Sequence, residues 1–142
     1  MKAISALKLT EEGATTVLQG ALKKARSLGL SASVAVVDDG GHLLVFARTD
    51  GAELYTVPIA LAKGRSAALT RFPTGKKSPS GKERDDHHAL AITLATGPGS
   101  FVSIPGGMPI FLKGQFVGAV GVSGAGEKDV DIAQSGVAAL EE

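Results

Sequence analysis

The side chains able to do chemistry in this chain form a short list. The run Arg84-Asp85-Asp86-His87-His88 places two of the three histidines directly after two aspartates. A histidine can move a proton near neutral pH or bind a metal, and a carboxylate can orient it. Neighbours on a helix point about 100° apart, so a metal shared by His87 and His88 fits poorly. Two readings stay open. One histidine acts as acid/base or ligand beside a carboxylate such as Asp85, or the segment is a solvated helix start capped by Asp85 or Asp86. No particular metal is specified.

Other candidates lie elsewhere. Arg48 and Asp50 follow an apolar strand, and Arg48 could offer its planar fork to a carboxylate or pair internally with Asp50. Lys63 sits among alanines, where desolvation would suit a substrate-binding or base role. Alternatively its stem packs and its ammonium escapes to solvent. Gly106 and Gly107 precede a strand, and adjacent glycines there could floor a ligand pocket with free amides or simply mark strand entry. Ser123, with Gly124 and Gly126, could open a helix as an anion site or serve as a cap. It is not a nucleophile elbow, because Ala125 stands where the last glycine of Gly-x-Ser-x-Gly should be. Asp38, Gly40 and Gly41 read as turn chemistry.

These residues need elements to position them. Residues 10–28 have helical spacing, with Thr10 as cap and Gly29 as stop. Residues 34–37 and 42–47 form a hairpin around Asp38–Gly41. A second helix starts near Thr56, with Pro58 in its first turn. Residues 73–86 form a polar, mobile loop leading into a short helix that ends at Gly97. Strands are predicted at 101–104, 109–112 and 115–122, with a tight turn at Lys113-Gly114, then a last helix carrying Val130, Ala133, Val137 and Leu140. One histidine of the pair is expected to face a pocket floored by Gly106 and Gly107, and the other to face solvent.

The bulk numbers suit one domain of 142 residues with 44% hydrophobic residues. Aromatics are only 4%, so the core must be aliphatic. A net charge of +1 gives no electrostatic footprint for nucleic acid. With no cysteine, disulfides, thiolate metal sites and cysteine nucleophiles are excluded. The N-terminus turns polar too early for a signal peptide, and no apolar run approaches the ~20 residues that span a bilayer. The expectation is a cytoplasmic protein with no membrane partner.

Three ordered stretches carry a resemblance. They are VVDDGGHLLVFARTDGA, IALAKGRSAA and GGMPIFLKGQFVGAVGVSGAGEKDVDIA. Over roughly residues 5 to 142 the chain resembles the GlcG/HbpS family, also called haem-degrading, which includes the C-terminal domain of PduO-type proteins. The resemblance implies an α+β fold with a five-stranded, mainly antiparallel sheet flanked by helices. It also implies homo-oligomers, dimers or higher, and haem binding in some members. Two functional expectations follow, and a structural or assembly subunit is a third. The first is a small-ligand-binding protein, with haem or a related tetrapyrrole as ligand. The second is an isomerase, tautomerase or hydrolase of a small carboxylated substrate. There Arg48 or Lys63 holds the carboxylate and His87 or His88 moves the proton.

Overall fold

Helix α1 (Glu11–Ser27) starts at its expected cap, where Thr10 Oγ1 accepts the N–H of Gly13 at 3.0 Å. Glu11 and Glu12 complement its positive end, and Gly29 leaves it at φ 68°. This computed structural model describes residues 1–141 of the chain. After α1 come β1 (Ser33–Asp38), β2 (Leu43–Arg48), α2 (Thr56–Thr70), α3 (Asp86–Thr96), β3 (Gly107–Leu112), β4 (Gln115–Ser123), a single 3-10 turn (Gly126–Lys128) and α4 (Asp129–Leu140).

The strands make one antiparallel sheet in the order β2-β1-β4-β3. Both local hairpins follow from turn chemistry. Lys113 and Gly114 both have positive φ (51° and 75°), the signature of a type I′ turn. Helices cover the two faces unequally. Val34, Val36, Val120 and Val122 enter a large core with α1 and with Ile132 and Ala133 of α4. Val37 and Ala119 meet Ala67 and Ala68 of α2. Each fully buried Val or Leu contributes about 1.5–3 kcal/mol, so the α1/α4 layer supplies most of the apolar stabilisation.

Layer α2 is held by backbone proximity. A methyl group at Gly121 of β4 would collide with the Ala60 carbonyl and the Gly64 N–H of α2. The alanines and glycine of IALAKGRSAA therefore bring a helix unusually close to a sheet.

The sheet has four strands, against the five expected. Segment 101–104 forms no strand and pairs with none of the four. Its Val102 N–H donates to Ser66 Oγ of α2 at 2.7 Å, and buried Phe101 lies under the Arg84 guanidinium, 5.2 Å from the ring centre. A side-chain anchor replaces ladder bonds. Residues 73–86 form the expected loop and carry internal bonds of their own. Ser78 N–H donates to the Lys82 carbonyl and Arg84 N–H to the Lys76 carbonyl, both at 2.8 Å, around a Lys77–Glu83 bridge. The Arg84 guanidinium adds a bond to the Lys77 carbonyl at 3.2 Å.

Candidate functional site

Three expected site residues meet, in the interior. Lys63 is 1% exposed; its Nζ donates to the Val122 carbonyl at 2.8 Å and to Asp129 Oδ2 at 3.0 Å. It does not escape to solvent, because α2 is pressed too tightly on β4 for the stem to leave. Gly106 lies beside this pair: a methyl there would stand 3.0 Å from Lys63 Nζ and 2.6 Å from the Val122 carbonyl. Gly107 abuts the Lys63 carbonyl, and its N–H donates to Thr74 Oγ1 at 2.8 Å. Gly106 and Gly107 are thus packing glycines under α2. They do not floor an open pocket, and the Gly107 amide is already bonded.

The remaining expectations scatter. Ser123 ends β4, buried, opposite Ser33. The anion expected at its glycine-rich turn is internal: Asp129 Oδ1 accepts the Ala125 N–H at 2.8 Å. Asp129 therefore joins that turn to Lys63. Arg48 is exposed at the end of β2 and shares a cleft of ≈ 410 Å³ with Arg26, Asp50 and Leu30. Among the described residues it makes no ion pair with Asp50. His87 and His88 are both exposed on the first turn of α3, so neither faces the Gly106–Gly107 region. Asp85 is the cap, accepting the His88 N–H at 2.7 Å. No cleft described here joins Arg48 or Lys63 to either of these histidines. Among the described residues no group of three or more His, Asp or Glu could hold a metal ion.

The site with convergent chemistry is one the residue patterns left unmarked. The β1–β2 turn and the second half of α2 enclose a cleft of ≈ 530 Å³ lined by His42, Arg65, Ala68, Leu69, Arg71 and Ser100. Asp38 builds its turn side. Oδ1 accepts the N–H groups of Gly40 and His42, each at 2.9 Å, and lies 3.3 Å from His42 Nδ1. Gly40 leaves room for this ring position, since a methyl there would sit 2.9 Å from the imidazole and push the ring aside. With Nδ1 turned to the carboxylate, Nε2 is left to a ligand. Partial burial pushes the Asp38 carboxyl up, yet the two N–H groups and the His42 ring outweigh this and hold it below its usual 3.8.

The helix side supplies cations. Arg65 Nε reaches the Gly41 carbonyl at 3.4 Å, which ties α2 to the turn. Arg71, in left-handed conformation at φ 55°, ends α2 with its guanidinium 5.0 Å from the centre of the Phe116 ring. The one carboxylate lining the cleft, Asp39, is engaged by Lys8 at 2.7 Å, and that hydrogen bond raises the Lys8 ammonium above its usual value. Two guanidinium groups, an oriented imidazole and an apolar strip of Ala68 and Leu69 thus face one space. Such a space suits a flat, carboxylated molecule. Arg65, Ala68 and Leu69 stand at i, i+3 and i+4, a stripe visible in the sequence once α2 is placed.

Residues 9–138 match the family described as haem degrading protein HbpS-like. Protein GlcG of Escherichia coli K12 is 34% identical over 115 residues, covering 81% of each chain. The crystal structure of a double mutant of Streptomyces reticuli HbpS superposes with a TM-score of 0.78 at 33% identity, over 96% of this chain and 90% of that one. A PduOC:heme complex superposes with a TM-score of 0.79 at 26% identity, over 94% and 95%.

Proposed function

The chain belongs to the HbpS-like family, and from that premise we propose that it binds haem or a related carboxylated tetrapyrrole in the cleft between the β1–β2 turn and α2. The observation that carries this reading is the meeting of His42, Arg65 and Arg71 along one apolar strip. Arg65 and Arg71 would take the propionates as charge-assisted, planar pairs. His42 presents Nε2 because Asp38 occupies Nδ1. Ala68 and Leu69 would lie along one side of the ring. When bound, haem supplies an iron centre and an extended π face. The protein's part is to orient one imidazole and neutralise two carboxylates. That a relative's structure is a complex with heme supports the ligand class.

Hemin titration tests this. The wild-type protein gives a Soret shift at micromolar concentration. His42→Ala alters the position of the bound band, and Arg65→Ala with Arg71→Ala weakens affinity roughly a hundred- to ten-thousandfold, as loss of two charged hydrogen bonds of ~1.5–3 kcal/mol each would. His87→Ala and His88→Ala leave the titration unchanged. No Soret change for the wild type removes the haem reading. The residues that the enzyme reading needs, Arg48 or Lys63 with His87 or His88, do not converge.

A further inference from the structure

The ladder between β1 and β2 ends at the pair Ser33–Arg48, yet the two chains stay stitched beyond it. Thr49 N–H donates to the Ala32 carbonyl and Ala32 N–H to Thr49 Oγ1, both at 2.9 Å. Ser31 Oγ donates to the Asp50 carbonyl at 2.7 Å. These three bonds fix the backbone that carries Arg48 and Asp50. Across from it, the end of α1 folds back on itself. Leu30 N–H reaches the Ala25 carbonyl and Gly29 N–H the Arg26 carbonyl, both at 3.0 Å. The cleft of ≈ 410 Å³ framed by these two segments brings together Arg26, Arg48 and Asp50 with apolar Leu22, Leu30 and Ala47. Among the described residues neither guanidinium and not the Asp50 carboxylate enters an ion pair.

We propose that this cleft is a separate binding site for a small sugar phosphate or phosphorylated polyol. Arg26 and Arg48 take the phosphate, whose oxygens match the planar guanidinium fork. A cation at the end of α1 complements the helix dipole, which accounts for Arg26. It does not account for Arg48, which arrives from a strand. The helix-end oxygens that would repel an anion are already engaged. The Ala25 and Arg26 carbonyls accept the bonds above, and the Lys24 carbonyl accepts Leu28 N–H and Ser27 Oγ. Thr49 also lines the cleft, and its hydroxyl accepts from Ala32 while keeping its own proton to give. Asp50 selects the rest of the ligand. Beside a bare phosphate its carboxylate only repels, whereas the hydroxyls of a sugar can donate to it. Leu22, Leu30 and Ala47 lie against the carbon skeleton. The volume falls in the ~300–1,000 Å³ range of small-molecule sites. The site shares no residue with the His42 cleft and does not rest on the haem reading.

Amide NMR titrations of the full chain at constant ionic strength test this, with ribose-5-phosphate, inorganic phosphate and ribose as probes. Ribose-5-phosphate at millimolar concentration should shift the amides of residues 26–31 and 47–50. Inorganic phosphate should shift the same amides with weaker affinity, and ribose should shift none. Arg26→Ala and Arg48→Ala should each weaken ribose-5-phosphate about tenfold, with circular dichroism unchanged because both side chains are exposed. Asp50→Ala should tighten inorganic phosphate and weaken ribose-5-phosphate, so that the two affinities converge. No shift in these residues, or shifts that survive Arg26→Ala combined with Arg48→Ala, overturns the site. Equal affinity of the wild type for phosphate and ribose-5-phosphate overturns the ligand class, as does an Asp50→Ala variant that keeps the full preference for the sugar phosphate.

Discussion

Helices α2 and α3 are built from similar material and meet opposite fates. Both are rich in alanine and leucine with few charges, and neither has a pronounced apolar side. Helix α2 is clamped on the sheet, with Lys63 itself buried; α3 buries nothing of its own. The difference lies in what faces them. Gly121 and Gly107 on the sheet remove the side chains that would hold α2 away, and Gly64 answers from the helix. Once the backbones touch, Lys63 has no route to solvent and must find partners, which Val122 and Asp129 provide. Nothing on the described chain is cut to receive α3. A small-residue helix becomes a core element only where a matching surface is also small.

The contrast can be broken most forcefully at Lys63. Lys63→Met leaves Asp129 buried without its cation and should cost about 3–5 kcal/mol in urea unfolding. Adding Asp129→Leu should recover much of that loss, since replacing a buried pair as a whole is often near neutral. A cost near zero for Lys63→Met would mean that α2 does not seal the site. Gly121→Ala comes next, at about 1–3 kcal/mol, because the new methyl meets backbone that cannot turn aside. Unchanged melting would refute the close approach of α2 to β4.

Smaller effects sharpen the α3 side. Asp85→Ala removes a helix cap worth about 1 kcal/mol. Since α3 is barely tied to the sheet, the loss should appear as faster hydrogen exchange in residues 88–92, with the global melting temperature almost unmoved. A large drop in melting temperature would show that α3 is part of the cooperative core. The last test is acid titration of Asp38. Its folded carboxyl sits below 3.8, so its stabilisation is present above that pH and is lost as pH falls through the folded value. Thermal melts of wild type and Asp38→Asn should therefore converge as pH drops below about 3.8. A gap that widens toward acid would reverse the assignment.

Much of the frame could be read from residue order, because local rules act locally. Thr10, Asp38, Asp85 and Lys113-Gly114 each do what their immediate neighbours dictate, and caps and turns need no tertiary information. The candidate site was harder. Arg48, Lys63 and the His87-His88 pair stood out by residue type, yet they lie on different parts of the molecule. His42 reads as the first residue of a strand, and its part in the cleft depends on Asp38 across the turn and on α2. Segment 101–104 has strand composition and no strand partner, because Ser66 took its N–H first.

The amino-acid sequence by itself determined the helices, the two hairpins, the aliphatic core and the family. These rest on periodicity, capping and turn geometry, all short-range. Only the tertiary structure decided that Lys63 is interior, that Asp129 is the anion at the Gly124–Gly126 turn, and that His42, Arg65 and Arg71 share a cleft. Those outcomes depend on which backbones approach within a methyl group of each other, a long-range steric condition that no single segment encodes.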